Sequence, residues 1–192
     1  MKTSPVLLNG TKVVLRDKHI SDAAKDYEWR TDRELSKLDA TEPITMPYEI
    51  FLRLSRDEIT YLNPYSKRLA IDTYDGHHIG NCMYYDIDLN KSEVELGIMI
   101  DRQYWNQGYG TDAIETLLTY IFTTTTLKRA YLHTLDWNQR GRSSFTKAGL
   151  QEIKTVSRHG KDFIMMEILK KDWESRKTAN SRAGDLYKSD HK

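Results

Sequence analysis

The amino-acid sequence predicts one domain of mixed α/β class whose sheet is largely antiparallel. The middle of the chain, from Arg68 to Asp101, contains three strand-like segments joined by short polar turns, which is typical of an antiparallel meander. Segments with helical spacing of apolar residues lie before and after this meander. The length of 192 residues suits a single domain of ordinary size.

The elements before the meander are a hairpin and three helices. The dipeptide Asn9-Gly10 favours a tight turn between two strands, and Ser21 or Asp22 can cap the first helix. Asn63-Pro64 ends the third helix. The predicted elements are strands Val6–Leu8 and Lys12–Arg16, a helix through Ala23 and Trp29, a helix over Asp32–Leu38, and a helix from Tyr48 to Ile59.

The elements after the meander begin with the clearest periodicity in the chain. Apolar residues from Ala113 to Phe122 form one stripe on a helix that starts near Gly108, and the β-branched threonines that follow favour its end. Gly149 is suited to the end of a second helix. The predicted elements are a helix over 108–122, strand Leu127–Thr134, a helix from Asn138 to Lys147, and strands Glu152–Val156 and Phe163–Leu169.

Composition excludes several classes of protein. The chain has 29 Lys and Arg against 28 Asp and Glu, so it lacks the basic excess of a general nucleic-acid binder. Its one cysteine, Cys82, excludes a disulfide framework and a cysteine-based zinc site, and we expect it to be a small buried strand residue. No apolar run approaches the roughly 20 residues that span a bilayer. We therefore expect no nucleic-acid or membrane partner and a cytoplasmic location.

The end of the chain is more polar than the rest. Residues 170–192 contain few apolar side chains and no clear apolar period. We expect a domain over residues 1–170 and a polar extension over 171–192 that is partly helical or disordered. Lys171–Lys177 can extend a helix, whereas the segment beyond Thr178 is predicted to be a mobile tail.

The segment around Gly108 and Gly110 is the best candidate for chemistry. It leads from an apolar strand into the amphipathic helix, where unpaired backbone amides and the helix dipole favour an anion such as a phosphate. Recognition would then use backbone amides instead of a basic patch. Residues 108–113 also fit the dinucleotide pattern G-x-G-x-x-G/A, but a loop of about seven residues separates the strand from Gly108, which disfavours that interpretation. A glycine-rich helix start without a ligand is the third alternative.

Two motifs resemble one known family. The segment 104–111, Y-W-N-Q-G-Y-G-T, resembles motif A of the GNAT superfamily of acetyltransferases, Q/R-x-x-G-x-G/A. It is most similar to the Y-W-G-x-G-Y-A-T of the branch that acetylates ribosomal-protein N-termini (alanine or serine), spermidine and some antibiotics. Asn138-Gln139-Arg140 and Lys147-Ala148-Gly149-Leu150 match that branch's N-x-x-S and K-x-G-F. The resemblance covers roughly residues 6–170.

The resemblance implies a GNAT-like fold and acetyl-CoA as cosubstrate. The fold would have a largely antiparallel sheet of six to seven strands, helices on both faces, and central strands Leu96–Ile100 and Ala130–Thr134 splayed apart. Members of the family are often dimeric, so a homodimer is compatible with it. The residues implied to bind the cofactor are Ile98, Met99, Ile100, Trp105, Asn106, Gln107, Gly108, Tyr109, Gly110, Thr111, Asn138 and Phe145.

Acetyl transfer to an amine requires a base, polarisation of the thioester oxygen, and a proton for the leaving thiolate. The resemblance implies that a backbone N–H near Ile98 or Met99 polarises the oxygen. Glu95, which shares a strand face with Glu93, is the candidate base, although a solvated strand carboxylate is an equally good interpretation.

The positions that would supply the proton donor depart from the family pattern. Phe145 replaces the common Tyr and Gly141 the common Ser, so Ser144 is the candidate donor, with Ser143 nearby. We expect direct transfer in a ternary complex to a primary amine, which could be a protein or peptide N-terminus, a polyamine or a small amine. The alternative is a non-catalytic acyl-CoA sensor.

Overall fold

The computed structural model describes the backbone of residues 6–189 and the side chains of residues 6–179. One sheet of eight strands has the spatial order β1-β2-β3-β4-β5-β6-β8-β7. The strands are β1 (Leu7–Asn9), β2 (Val13–Asp17), β3 (Lys67–Thr73), β4 (His78–Asp88), β5 (Glu93–Ile100), β6 (Arg129–Leu135), β7 (Gln151–Arg158) and β8 (Lys161–Leu169).

Six α-helices lie in the described part of the chain. Asp32 caps α2 by accepting hydrogen bonds from the N–H groups of Glu34 and Leu35, and Asn138 caps α5 by accepting one from Gly141. The helices are α1 (Ala23–Thr31), α2 (Arg33–Leu38), α3 (Tyr48–Thr60), α4 (Tyr109–Thr124), α5 (Gln139–Lys147) and α6 (Lys170–Ser189). The sequence predicts the first five to within a few residues.

The mixed, largely antiparallel class is confirmed, with one parallel pair at the centre. Strands β5 and β6 pair only from Glu93 opposite Arg129 to Glu95 opposite Tyr131. Strand β5 then continues to Ile100 and β6 to Leu135, so the two strands part as the resemblance implies. The sheet has one strand more than the six to seven that the resemblance implies, and its eight strands correspond to the eight strand segments that the sequence predicts, including the three-residue β1, which pairs along its whole length with β2.

Helices cover both faces of the sheet. The apolar stripe of α4 supplies the fully buried Leu117, Leu118 and Ile121, which pack in one core with Leu15 and other residues of that sheet face. The neighbouring Arg16 points to the opposite face, where its guanidinium forms a 2.9 Å ion pair with Asp22 at the start of α1. Cys82 is 1% exposed, as predicted.

The C-terminal segment begins as a helix on the folded domain. Helix α6 runs from Lys170 to Ser189 and includes the helical extension that the sequence predicts over Lys171–Lys177. Lys, Arg, Glu and Ala have high helix propensity, so a helix that begins on the folded domain can continue without an apolar period. Trp173 packs on Phe122 with ring centroids 5.6 Å apart, and Arg176 donates to the carbonyl of Lys147 at 2.9 Å. The first turns of α6 therefore pack against the domain, beyond the boundary predicted at residue 170. No helix in the described part of the chain is long and apolar enough to cross a membrane.

Candidate active site

The glycine loop between β5 and α4 has the backbone expected of an anion-binding turn. Gly108 is the residue before α4 and has φ of +85°, and Asn106 has φ of +60°. A side chain at the first of these positions would be strained, because left-handed backbone is disfavoured for most residues. The loop leaves the first N–H groups of a 16-residue helix at its surface, with the positive end of the helix dipole behind them.

Asp112, in the first turn of α4, connects this loop to the N-terminal hairpin by hydrogen bonds. Its carboxylate accepts hydrogen bonds from the N–H groups of Thr11, Lys12 and Val13 at 2.7–3.0 Å, and from the Thr11 hydroxyl at 2.7 Å. Burial opposes ionisation of Asp112, but these donors outweigh it and lower its pKa. The sequence analysis missed this role, because a hydrogen-bond partner a hundred residues away leaves no local pattern.

Positive side chains also surround the loop, which corrects the expectation of a site without a basic patch. Lys12 donates from Nζ to the carbonyl of Gln107 at 2.8 Å, directly beside Gly108. The Arg140 guanidinium lies over the Trp105 ring, with Cζ 3.2 Å from the ring centroid. Lys147 lines the same cavity. Cations next to a helix N-terminus strengthen its attraction for phosphate groups.

A cavity of about 250 Å³ runs along this loop between α4, α5 and the free edge of β5. Most of the predicted cofactor residues line it, together with two serines of α5. These lining residues are Ile98, Met99, Ile100, Trp105, Asn106, Gly108, Gly110, Thr111, Asn138, Phe145, Ser143 and Ser144. Two predicted residues do not line it. Gln107 contacts Lys12 through its carbonyl, and Tyr109 turns toward the core, where its ring lies 5.8 Å from that of Tyr104. We call this cavity the loop cavity.

A second cavity of about 180 Å³ lies among α1, α2, β3, β4 and β5. Its polar lining residues include Arg30, Ser36, Arg68, Asn81 and Tyr85, and its apolar ones include Trp29, Leu35, Met83 and Met99. We call it the helix-side cavity. The two cavities share Leu35, Asp39, Ile98 and Met99, so they meet at β5 just beyond the point where β5 leaves β6.

The pairing of β5 shows which backbone groups face the gap. Asp101 donates its N–H to Ile79 on β4 at 2.8 Å, and Met99 lies opposite Asn81 in the same antiparallel ladder. Because hydrogen-bonded residues alternate along such a ladder, Met99 also bonds to β4, and the N–H of Ile98 points toward the gap. The Ile100 carbonyl, on the same side as Ile98, accepts from the Trp105 indole at 2.7 Å.

Glu95 sits at the junction where the strands separate. It is 8% exposed, and its Oε1 lies 2.8 Å from Nδ1 of His133 on β6. Arg158 approaches the other ring nitrogen of His133 at 3.3 Å. Tyr85 lines the helix-side cavity and lies opposite Glu95 in the pairing of β4 with β5, and burial followed by the charge of Glu95 raises the pKa of Tyr85. No local pattern in the sequence indicates a role for Tyr85 or His133, since neither belongs to a motif.

The departures from the family pattern in α5 have a local structural reason at one position. A Cβ at Gly141 would lie 2.6 Å from Nδ2 of Asn138, so glycine leaves room for the Asn138 side chain that caps the helix. Phe145 is 7% exposed and lines the loop cavity without offering a hydroxyl. The Ser144 hydroxyl lies 2.9 Å from that of Thr111, which places it beside the first turn of α4.

Two separating strands beside a helix start suited to an anion, with two cavities meeting at β5, form the arrangement that the resemblance implies for an acetyltransferase of the GNAT class. Residues 12–151 match the family model described as acetyltransferase (GNAT) domain. The chain belongs to this family. It is an acetyl-CoA-dependent N-acetyltransferase, and acetyl-CoA is its cosubstrate.

Similar proteins extend over most of the chain. An uncharacterised N-acetyltransferase called p20 from Bacillus licheniformis is 25% identical over 84% of this chain and 95% of its own length. The human alpha/beta-tubulin N-acetyltransferase 9 is 26% identical over 79% of this chain and 78% of its own length.

Two solved structures share the fold. A spermidine N-acetyltransferase from Vibrio cholerae, in complex with CoA and spermine, superposes with a TM-score of 0.74 at 19% identity, covering 84% of this chain and 97% of its own. A GNAT-family acetyltransferase from Bacillus anthracis has a TM-score of 0.74 at 16% identity, covering 86% of this chain and 99% of its own. These similarities do not single out the ribosomal-protein branch, which stays a hypothesis.

Proposed function

We propose that this protein transfers the acetyl group directly from acetyl-CoA to a primary amine while both are bound. The observation that carries the proposal is the wall shared by the two cavities at Ile98 and Met99. The cosubstrate would occupy the loop cavity and the amine the helix-side cavity. The two reactants would then meet at the free edge of β5, where proximity replaces a bimolecular encounter in solution.

The loop cavity suits the chemistry of the cosubstrate. The amides that follow Gly108 offer donors to a pyrophosphate, and Lys12 and Arg140 supply charge beside them. Ile98, Ile100 and Phe145 provide an apolar wall for the linear arm that carries the thioester. When bound, the thioester supplies an activated acetyl group, and the residues of this chain place that group and move protons.

The N–H of Ile98 is the proposed polarising group. It points away from β4 into the gap, where β6 no longer accepts its hydrogen bond. A donor held rigidly by a strand stabilises negative charge that develops on an acyl oxygen, because it needs no reorganisation as the reaction proceeds. Of the two backbone groups that the sequence left open, those of Ile98 and Met99, the strand pairing favours the N–H of Ile98.

Glu95 is the proposed base, and Tyr85 is the proposed link between it and the amine. Glu95 does not line either cavity, whereas Tyr85 lines the helix-side cavity and lies opposite Glu95 on the neighbouring strand. The amine proton would pass to the Tyr85 oxygen as the Tyr85 hydroxyl proton passes to Glu95. The raised pKa of Tyr85 suits this relay, because the phenol starts and ends protonated. His133 fixes the Glu95 carboxylate from the other side.

Ser144 is the proposed proton donor to the leaving thiolate. It lines the loop cavity directly before Phe145, the position at which the family commonly has a tyrosine. A serine hydroxyl is less acidic than a thiol, so Ser144 would take up a proton from solvent as it passes its own proton to the thiolate.

The acceptor class is a primary amine, with a protein or peptide N-terminus as the first choice. The segment 104–111 resembles the branch that acetylates ribosomal-protein N-termini, and one relative bears the name of a tubulin N-acetyltransferase. Polyamines and small amines are the other candidates, because a structural relative is a spermidine N-acetyltransferase.

The test is thiol release from acetyl-CoA by the purified protein with N-terminal peptides, polyamines and aminoglycosides. We expect release that depends on one of these amines and a mass increase of one acetyl group on that acceptor. CoA binding measured by calorimetry without release for any amine would instead support the acyl-CoA sensor. If the protein neither binds CoA nor releases thiol with any amine, the assignment of the loop cavity to the cosubstrate is contradicted.

A further inference from the structure

Two arginines from different elements line the helix-side cavity. Arg30 comes from α1 and Arg68 from β3, and their side chains are 37% and 38% exposed. The other charged residue of the lining is Asp39, which also borders the loop cavity. The lining therefore carries a formal excess of positive charge.

Each arginine has one ion pair, and neither pair uses the whole guanidinium. Arg30 contacts Asp39 through one terminal nitrogen at 2.9 Å, and Arg68 contacts Glu58 on α3 through Nε at 3.2 Å. A guanidinium has five N–H donors in a planar fork, so donors remain at both residues for a second carboxylate. Both contacts are partly exposed, which lets an incoming ligand compete with them.

The carboxylates near the cavity already have cationic or hydrogen-bonding partners in the described structure. Glu95 bonds to His133, and Asp26 pairs with Lys18 and accepts a hydrogen bond from Asn81. Asp101 accepts from Trp29 and pairs with Lys25. A polyamine placed in this cavity would thus meet two arginines and no carboxylate without a partner among the described residues.

We propose that the acceptor is an amine with a carboxylate close to it, and that Arg30 and Arg68 recognise this carboxylate. This carboxylate would belong either to an acidic side chain near a peptide N-terminus or to a free amino acid. The apolar surface of Trp29, Leu35 and Met83 would contact the uncharged part of the acceptor. The inference rests on the proposed amine acetylation and names its substrate class.

The experiment compares peptide acceptors that differ only at their second residue, using the full-length protein and saturating acetyl-CoA. Peptides amidated at the C-terminus begin Ala-Asp, Ala-Asn or Ala-Lys, and free aspartate and spermidine form two further arms. We expect kcat/KM for the Ala-Asp peptide to exceed that for its Ala-Asn isostere by about tenfold, the ratio typical of one charge-assisted hydrogen-bonded pair. A preference for free aspartate over every peptide would assign the carboxylate to an amino acid.

Variants of the two arginines test whether they cause the preference for the Ala-Asp peptide. Arg68→Gln and Arg30→Gln should each reduce the ratio of Ala-Asp to Ala-Asn activity toward one. Arg56→Gln on α3 removes the same charge from an exposed residue that lines neither cavity, and it should keep the full ratio. Thermal unfolding of each variant checks that the domain is folded.

Two results would overturn the inference while leaving amine acetylation intact. One is equal or greater activity with the Ala-Lys peptide or spermidine than with the Ala-Asp peptide. The other is an unchanged Asp-to-Asn ratio in both arginine variants. Absence of thiol release with every amine would instead contradict the proposed function itself, so the two failures are distinguishable.

Discussion

The Glu95 carboxylate lies 2.8 Å from Nδ1 of His133, at the last rung where β5 and β6 pair. The two side chains belong to the strands that diverge, so their contact closes the inner end of the gap. Neither residue faces bulk water, since the Glu95 side chain is 11% exposed and that of His133 is 8% exposed. A buried carboxylate with an imidazole partner next to the proposed reaction centre is a natural candidate for proton transfer.

Replacing Glu95 by Gln should remove the proposed base. We expect kcat to fall by about 10²- to 10⁴-fold, the usual contribution of general base catalysis, with little change in KM for acetyl-CoA. The matched control is Glu93→Gln, because Glu93 lies two residues earlier on the same strand face and pairs with Arg129. Steady-state kinetics with both substrates varied measures the effect. Equal losses in the two variants would indicate a structural role for both carboxylates.

Replacing His133 should test whether it positions Glu95. His133→Leu removes the donor to Glu95, and we expect kcat to fall by about tenfold or more while KM for acetyl-CoA stays the same. His133→Gln retains an N–H donor and should recover part of this loss. If both variants lose the same activity and the same thermal stability, His133 supports the fold and has no specific role in positioning Glu95.

Gly108→Glu should abolish cofactor binding, because it places bulk and negative charge where a pyrophosphate is expected. Gly76→Glu is a matched control, since Gly76 has the same φ of +85° and nothing lies within 4 Å of an added Cβ. Backbone strain of about 1–3 kcal/mol should lower the melting temperature of both variants to a similar extent. Calorimetry with acetyl-CoA should show a loss of affinity only for Gly108→Glu. Unchanged affinity in that variant would contradict the position of the site.

Ser144→Ala should lower kcat by about tenfold if this hydroxyl protonates the leaving thiolate. The comparison is Ser143→Ala, which removes a neighbouring hydroxyl from the same cavity and should have a smaller effect. Kinetics in which kcat and KM for acetyl-CoA are separated provides the measurement. A raised KM with an unchanged kcat would show that Ser144 supports the start of α4 through Thr111 and takes no part in proton transfer.

His78 should make stability depend on pH near neutrality. Burial of His78 disfavours its charged form, but hydrogen bonds to Asp26 and Asp72 outweigh burial and raise its pKa above the ordinary value of 6.5. A raised folded-state pKa means that the charged histidine stabilises the fold fully below pH 6.5 and that this contribution is lost as pH rises through the folded value.

The measurement is the melting temperature of the wild type and of two glutamine variants between pH 6 and 8.5. We expect the wild-type value to fall by a few degrees over this range, since about 1 kcal/mol corresponds to roughly 2–4 °C in a chain of this size. His78→Gln should remove most of that fall. His77→Gln, at the adjacent position where the side chain is 65% exposed, should keep it. A wild-type curve that is flat or that rises would contradict the assignment.

Local patterns in the sequence were sufficient for most of the fold. The stripe from Ala113 to Phe122 predicts α4 because helix burial repeats every 3.6 residues, and Asn9-Gly10 predicts the hairpin because its turn geometry is local. The glycine loop was also predictable, since Gly108 and Gly110 stand directly before a clear helix.

Contacts between distant segments were not predictable in this way. Lys12 beside Gly108, Tyr85 beside Glu95, and Arg30 with Arg68 each depend on how the sheet and helices assemble. No spacing in one sequence encodes such pairs, because many pairings of the same elements satisfy the same hydrophobic pattern. Sequence reasoning therefore indicated the glycine loop as the candidate cofactor site and left the helix-side cavity undescribed.

The bonds from Asp112 to Thr11, Lys12 and Val13 span 99 to 101 residues of sequence. Forming them closes a loop of about that length, and the entropy of closure must be overcome before the bonds contribute. We expect the glycine loop to reach its final position only after the first hairpin has joined the sheet. Competence to bind the cosubstrate is therefore expected to arise late in folding, and a chain shortened to begin after Val13 should lose it even if helix α4 still forms.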